Sequence, residues 1–279
     1  MSGKRSTFLI SALVFGFAFL YVPILLVIVY SFNEGKLVTV WAGFSTKWYV
    51  SLFNNDGMID AAWNSLRIGV MSATLALALG TPAGLVMSRF GRFKGRTLFS
   101  GMIAAPLVMP EVITGLSLLL LFVTLEQLIG WPAGRGLSTI TIAHTTFCAA
   151  YVAVVVQSRL SGMDISVEEA AMDLGAKPGK IFFVITLPMI LPALMAGWLL
   201  SFTLSLDDLV IASFVAGPGS TTLPMKVFSS VRLGVSPEIN ALATLIILAV
   251  SILIVIASIL ILRSERLRNR AANGGAETT

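Results

Sequence analysis

The chain has 279 residues, of which 56% are hydrophobic and only 12% are charged, and its mean hydropathy is +0.91. A water-soluble domain cannot cover that much apolar surface, so the composition predicts an integral membrane protein. The formal net charge of +5 does not indicate nucleic-acid binding, because membrane topology is expected to distribute the basic residues.

Six apolar segments are each close to the ~20 residues that a helix needs to cross the hydrocarbon core. They are Phe8–Tyr30, Ile68–Met87, Leu98–Leu125, Ser138–Val156, Leu187–Leu206 and Ile239–Leu262. Backbone groups in lipid must be bonded internally, and no alternating barrel pattern is present, so we predict an all-α polytopic bundle. The third segment is too long for one plain span, and we expect Pro106 and Pro110 to kink or divide it.

The basic residues predict the orientation of this bundle. If the N-terminus is cytoplasmic, thirteen of the 19 Lys and Arg residues lie on the inner side. These are Lys4, Arg5, Arg89, Arg92, Lys94, Arg96, Arg159, Lys177, Lys180, Arg263, Arg266, Arg268 and Arg270. The positive-inside rule therefore places both termini in the cytoplasm. We expect one transmembrane domain over 8–262, a cytoplasmic loop over 158–188 within it, and a disordered tail over 263–279.

A polar segment of mixed charge precedes the fifth span. Ser166 and Glu169 have the spacing of a capping box, in which each side chain bonds to the backbone amide of the other residue. Gly175 lies where the end of a helix favours a left-handed residue, and Pro178 can begin a second short helix. The sequence therefore predicts a helix–glycine–helix unit on the cytoplasmic side.

The helical phase of this unit predicts two kinds of surface. Val167, Ala171 and Leu174 fall on one apolar side, at i, i+4 and i+7, whereas Glu168 and Asp173 point elsewhere. From the residues alone, the unit is either a docking surface for another protein or an amphipathic loop lying on the membrane.

The string EAAMDLGAKPGKIFFVITLP resembles the cytoplasmic signature of ABC importer permease subunits, which is EAA, three residues, Gly, nine residues and Ile-x-Leu-Pro. The matching residues are Glu169, Ala170, Ala171, Gly175, Ile185, Leu187 and Pro188. The resemblance implies the type I ABC importer permease fold, with the first short helix acting as the coupling helix. In that family this helix fits a groove on a cytoplasmic ATPase subunit and transmits ATP-driven closure to the bundle.

No GxxxxGK[ST] phosphate loop occurs in the chain, so we expect a transport subunit rather than an enzyme, with no catalytic residues of its own. The chain itself is expected to bind no cofactor, and ATP–Mg would be bound and hydrolysed on the partner ATPase subunits. One histidine, His144, and one cysteine make no metal site. We expect His144 to be a packing residue bonded to Thr141, Thr145 and Thr146.

Three acidic residues within or directly after apolar segments are candidates for the substrate path, because charges within spans are costly and usually functional. They are Asp207, Asp208 and Glu111, and acidic groups on such a path would favour a cation. Two alternatives stay open at this stage. The aspartates could cap a helix or pair with Arg232, and Glu111 could be a protonated or backbone-bonded structural residue.

A narrow polar stripe leads up to these aspartates. At ~100° per residue on a helix, Ser201, Ser205 and Asp208 fall with Gly197 within about 80°. Trp198 could add a cation–π face to the path. We therefore add Ser201, Ser205 and Trp198 to the candidate substrate-path residues.

The run from 182 to 247 resembles the polyamine branch of these permeases. The strings that carry the resemblance are FFVITLPMILPA, GWLLSFTLSLDDLVIASFVAGPG, TTLPMKVFSSVR and GVSPEINALATL. They are most similar to the smaller inner-membrane permease subunit of bacterial putrescine importers, with the spermidine type next. This implies a heterodimer with a sister permease, two cytoplasmic ATPase subunits and a periplasmic substrate-binding protein, all at the bacterial inner membrane, with no nucleic-acid partner.

Two competing functions predict features that the sequence lacks. A gradient-driven secondary transporter predicts an inverted repeat and paired broken helices, and neither is visible in this sequence. An intramembrane enzyme would have little catalytic machinery beyond an acidic dyad.

Overall fold

The computed structural model describes residues 7–37, 40–234, 236–252 and 255, and these residues are predominantly α-helical. The helices are α1 Thr7–Ser31, α2 Lys47–Phe53, α3 Asp56–Arg89, α4 Arg96–Val108, α5 Glu111–Ile129, α6 Leu137–Ser161, α7 Ser166–Asp173, α8 Pro178–Ile181, α9 Leu187–Asp207, α10 Val210–Val215, α11 Leu223–Leu233 and α12 Pro237–Ile252. A π-helical stretch, Phe182–Thr186, joins α8 to α9. The chain clusters into two compact units, residues 1–56 with 230–279 and residues 57–229.

The predicted all-α membrane bundle is confirmed. Five helices within the described residues are long and apolar enough to cross a membrane: α1, α3, α5, α6 and the continuous helical stretch Pro178–Asp207. The shorter helices α4 and α12 are also apolar. The predicted sixth span, Ile239–Leu262, and the tail over 263–279 lie partly or wholly outside the described residues, so both stay predictions.

The long third segment is divided into α4 and α5, as its prolines predicted. Helix α4 runs through Pro106 without a break and ends at Val108. Met109 then adopts an extended conformation, with ψ of 136°, and Pro110 precedes the first turn of α5. A residue before proline is driven out of the helical region by the proline ring, so Pro110 makes the break. This break places Glu111 at the start of α5.

The unit formed by residues 57–229 is built around α6, which packs closely against α3. Gly80 and Gly84 of α3 lie one turn apart on the face that meets α6. A Cβ atom on Gly80 would be 2.6 Å from the Cβ atom of Val152, and one on Gly84 would be 2.6 Å from the carbonyl oxygen of Ala153. Small residues are typical where membrane helices approach this closely. The α3–α6 contact therefore depends on the two glycines.

Replacing Gly84 with alanine should destabilise the protein by about 1–3 kcal/mol, because the added methyl group collides with the α6 backbone. The measurement is thermal unfolding of the purified protein in detergent. Gly101→Ala in α4 is the matched control, because no atom lies within 4 Å of its added Cβ atom. Equal melting temperatures for the two variants would contradict the close α3–α6 contact.

Hydrogen bonds of polar side chains join separate segments within the other unit. The buried side chain of Asn33 donates to the carbonyl of Val40 at 2.7 Å and accepts the amide of Ala42 at 2.8 Å, which closes the turn after α1. The carboxylate of Glu238 accepts hydrogen bonds from Ser51 and from Asn55. These bonds tie the start of α12 to the α2 region within this unit.

Candidate functional site

The predicted helix–glycine–helix unit is present over α7 and α8. Gly175 has a φ of +80°, a left-handed conformation that side-chain-bearing residues rarely adopt. Its amide donates to the carbonyl of Met172 at 2.8 Å, and the amide of Ala176 donates to Ala171 at 3.0 Å. This pair of bonds is the Schellman arrangement, which ends α7 sharply. Pro178 begins α8, as predicted.

The predicted capping box at the start of α7 is wrong. Helix α7 begins at Ser166, with Ile165 as its N-cap, and no side-chain bond from Ser166 to Glu169 forms. Instead the carboxylate of Asp164 accepts the amide of Ser166 at 3.0 Å. This bond lowers the pKa of the Asp164 carboxyl below its usual range. An aspartate two residues ahead of an amide is well placed to accept it, so Asp164 takes the place of Glu169. The amide of Glu169 donates to the carbonyl of Ile165 at 3.0 Å rather than to the Ser166 hydroxyl.

Four large apolar side chains on or directly beside α7 are exposed. Ile165, Val167, Met172 and Leu174 are all exposed, and Leu174 is 88% exposed. We call these four residues the α7 patch. Of the three residues that the helical phase placed on one apolar side, only Ala171 is half-buried. Large exposed apolar side chains on a short charged helix are typical of a protein-binding segment.

The signature residues form two groups, one exposed on α7 and one at the start of α9. Glu169, Ala170 and Gly175 are exposed, on or just after α7. Ile185, Leu187 and Pro188 lie instead where the π-helical stretch enters α9. Leu187 packs against the buried apolar cluster between α6 and α9. The signature therefore contains both accessible residues on α7 and the first residues of α9, the helix that follows.

Sequence reasoning missed the polar contact that connects these two groups. Arg89, the last residue of α3, donates from Nη2 to Oε1 of Glu168 at 3.0 Å. Thr186 donates from its hydroxyl to the same oxygen at 3.1 Å. We call Arg89, Glu168 and Thr186 the α7 clamp. The sequence offered one signal for it, a glutamate beside Glu169 in a loop facing several basic residues, but no spacing rule identifies the partner.

A cavity of about 310 Å³ lies where the broken helices of this unit meet. Its walls come from α4, α5, α6, α9, α10 and the links between them. The lining residues are Pro106, Leu107, Met109, Glu111, Thr114, Phe147, Tyr151, Leu204, Asp207, Asp208, Leu209, Val210 and Ile211. The structure thus brings together all three acidic residues that the sequence singled out.

Asp208 is buried, and its carboxylate is occupied by protein groups. Oδ2 lies 3.0 Å from Nε2 of His144, and the amides of Ile211 and Ala212 donate to the carboxylate at 3.3 and 2.7 Å. These two amides belong to the first turn of α10. Asp208 itself is extended, with ψ of 124°, so it separates α9 from α10. The capping alternative is therefore confirmed for Asp208, which also bonds to His144.

His144 is a satisfied packing residue, as expected, but the predicted partners are wrong. Its Nδ1 atom lies 2.6 Å from the hydroxyl of Ser205, and its ring is fully buried. With the proton on Nε2, the ring donates to Asp208 and accepts from Ser205, which satisfies both nitrogens. The hydroxyls of Thr141, Thr145 and Thr146 instead bond to carbonyls one turn back along α6.

Glu111 and Asp207 differ from Asp208 because both are exposed to the cavity. Within the described residues, neither carboxylate accepts a hydrogen bond or forms an ion pair. Phe147 and Tyr151 of α6 add aromatic faces to the same cavity. The arrangement offers two unpaired anionic groups beside aromatic rings, which suits a solute that carries ammonium groups.

The structure places the predicted polar stripe of α9 in a packing seam. Ser201 and Ser205 are buried against α6, where the thiol of Cys148 donates to the carbonyl of Ser201 at 3.4 Å. Trp198 donates from Nε1 to the hydroxyl of Thr74 at 3.2 Å, on the side of α3. The residues that line the cavity, taken over the described chain, include none of Ser201, Ser205 and Trp198.

The chain is similar to known transport proteins over most of its length. Residues 80–269 match the family model described as "Binding-protein-dependent transport system inner membrane component". The chain is 64% identical to the putrescine transport system permease protein PotI of Escherichia coli (strain K12), with 95% of each chain covered. It is 45% identical to the spermidine/putrescine transport system permease protein PotC of the same strain, with 89% of this chain and 91% of PotC covered.

Two solved structures share the fold at low sequence identity. A bacterial ABC transporter involved in the import of the acidic polysaccharide alginate superposes with a TM-score of 0.69 at 17% identity, covering 93% of this chain and 97% of that chain. The MetNI methionine ABC transporter in an inward-facing conformation gives a TM-score of 0.60 at 18% identity, covering 74% of this chain and 95% of that chain. At these identities the likeness shows the fold alone.

Proposed function

The chain belongs to the binding-protein-dependent transport system inner membrane components, and from this premise we propose that it is the permease subunit of an ATP-driven polyamine importer. Putrescine is the first candidate solute, moving from periplasm to cytoplasm by alternating access. The observation that carries the proposal is the pair of unpaired carboxylates, Glu111 and Asp207, in one cavity.

The chemistry of the cavity supports a polycation. A polyamine carries protonated amines separated by methylene groups, so it needs anionic or aromatic contacts for its ends and apolar contacts for its middle. Glu111 and Asp207 supply the anionic groups, and Phe147 and Tyr151 supply the aromatic faces. Leu107, Leu204 and other apolar residues complete the wall. Asp208 acts in this proposal as a support for the α9–α10 junction beside the cavity.

The α7 patch supports the proposed energy coupling. We assign this exposed apolar surface, with Glu169 and Ala170 beside it, to the groove of a cytoplasmic ATPase subunit. Two such subunits would bind and hydrolyse ATP–Mg, since this sequence has no phosphate loop. A sister permease would complete the membrane conduit, and a periplasmic binding protein would deliver the solute. Closure of the ATPase pair would move α7 and change the side to which the cavity opens.

Spermidine is the second candidate solute. The similarity to PotC, a spermidine/putrescine permease protein, favours it. Both solutes are flexible polyamines, so two carboxylates in an apolar cavity suit either of them.

Gly175→Val should abolish most ATP-dependent uptake of labelled putrescine into vesicles that contain the partner subunits. A β-branched residue at a φ of +80° costs about 1–2 kcal/mol locally and would mis-aim the helix pair. Gly179→Val is the matched control, because Gly179 lies nearby in α8 without a left-handed φ or close neighbours. Uptake that persists without ATP, or with Glu169 and Gly175 both replaced, would refute the coupling proposal.

A further inference from the structure

Helix α7 has few points of attachment to the rest of its unit. None of its eight residues is fully buried, and the four residues of the α7 patch are exposed. Of its residues, only Glu168 and Ala171 are half-buried. Because α7 is attached at so few points, a specific contact is needed for its motion to reach α3 and α9.

The α7 clamp provides such a contact at a single atom. Oε1 of Glu168 accepts both the guanidinium of Arg89 and the hydroxyl of Thr186. The side chains of Arg89 and Glu168 are only 14% and 13% exposed, so water screens the pair weakly. One carboxylate oxygen therefore joins α7 to the cytoplasmic end of α3 and to the root of α9.

Both helices that meet at the clamp lead toward the cavity. Helix α9 continues from Thr186 over 21 residues to Asp207, which lines the cavity. Helix α3 packs on α6 through Gly80 and Gly84, and α6 contributes Phe147 and Tyr151 to the same cavity. A displacement of α7 at the clamp is thus passed to the cavity directly along α9, and from α3 through its packing against α6.

The Arg89–Glu168 ion pair does not use all the donors that Arg89 offers. Arg89 uses one nitrogen, and its Nε atom is buried without a hydrogen-bond partner among the described residues. The strongest arginine–carboxylate pairs use two parallel hydrogen bonds. The buried Nε donor is therefore left over for a second bond if the Glu168 carboxylate moves toward it.

We infer that Glu168 is a positioning residue that transmits the motion of α7 to α3 through Arg89 and to α9 through Thr186. The inference rests on the proposed function, because it assumes that a partner ATPase moves α7. It goes beyond that proposal by separating docking, which the α7 patch performs, from transmission, which the α7 clamp performs.

The test measures uptake and ATP hydrolysis in the same reconstituted complex, with all partner subunits present. We expect Glu168→Gln and Arg89→Gln to retain the ATPase subunits and to hydrolyse ATP, while putrescine uptake per ATP falls about 5-fold or more, the lower end of typical coupling between sites. Thr186→Val should lower the same ratio, and Thr186→Ser, which keeps the hydroxyl, should preserve it.

Arg92→Gln is the matched control, because Arg92 is an exposed arginine in the same α3–α4 turn. An unchanged ratio of uptake to hydrolysis in Glu168→Gln would overturn the inference about the clamp. The proposed function is judged separately, by whether the wild-type complex takes up putrescine when ATP is supplied. If the single variants fail to assemble, the test uses a double variant in which the two charges are exchanged, Glu168→Arg with Arg89→Glu. Recovery of assembly and uptake supports the clamp, and failure of the exchanged pair to recover them rejects it.

Discussion

Replacing Asp208 with alanine should destabilise the protein by about 3 kcal/mol or more, since three buried donors lose their acceptor and each costs about 1–3 kcal/mol. The donors are the ring of His144 and the amides of Ile211 and Ala212. The site borders the cavity but is poorly accessible to solvent, because His144 is fully buried and Asp208 is only 9% exposed. The α9–α10 junction should therefore loosen.

The measurement is thermal unfolding in detergent, compared with Asp207→Ala. Asp207 is the adjacent residue of the same type, but it is exposed and has no hydrogen-bond partner within the described chain, so its replacement should change the stability by less than about 0.5 kcal/mol. His144→Ala should also be destabilising, because it leaves the Asp208 carboxylate without its ring partner. Equal stability of the Asp208→Ala and Asp207→Ala variants would contradict the buried network.

Replacing both Glu111 with glutamine and Asp207 with asparagine should raise the half-saturating putrescine concentration for uptake by about tenfold or more. Hydrogen bonds to charged groups contribute about 1.5–3 kcal/mol each, and 1.4 kcal/mol corresponds to a factor of ten. Both carboxylates are exposed in one cavity and lack partners within the described residues, so their removal should not weaken the fold.

The measurement is ATP-dependent uptake into vesicles over a range of putrescine concentrations, with the melting temperature recorded in parallel. Glu126→Gln is the matched control, because Glu126 lies at the other end of α5 and bonds to the amide of Gly134 outside the cavity. An unchanged half-saturating concentration in the double variant would remove both carboxylates from the substrate path. A lower melting temperature would assign them a structural role instead.

The sequence predicted the class of fold and most of its helices because those depend on the solvent and on local geometry. Long apolar segments must be helical in lipid, whatever they pack against. Pro110 breaks the third segment through its own ring, and Gly175 ends α7 through its own backbone freedom. Each of these features is decided by one residue and its immediate neighbours.

Predictions that required a choice between competing partners were less successful. Ser166 could cap α7 by spacing alone, yet the carboxylate of Asp164 took its amide. His144 had three threonines beside it in sequence, yet its partners are Ser205 and Asp208 from the α9–α10 region. Spacing rules describe what is reachable within one helix, whereas a buried side chain bonds to whatever the packed neighbouring helix brings to it.

The sequence by itself determined that this is an α-helical membrane protein with a signature loop and acidic residues in its spans. Only the tertiary structure decided which member of each acidic pair is free. In one pair Glu168 is bound in the α7 clamp while Glu169 is exposed, and in the other Asp208 is buried while Asp207 faces the cavity. Adjacent residues on α7 point about 100° apart, and Asp208 turns away from Asp207 because it leaves α9 in an extended conformation. The rotation of a packed helix and the place where it ends, which no local pattern fixes, therefore select the residue that remains available for function.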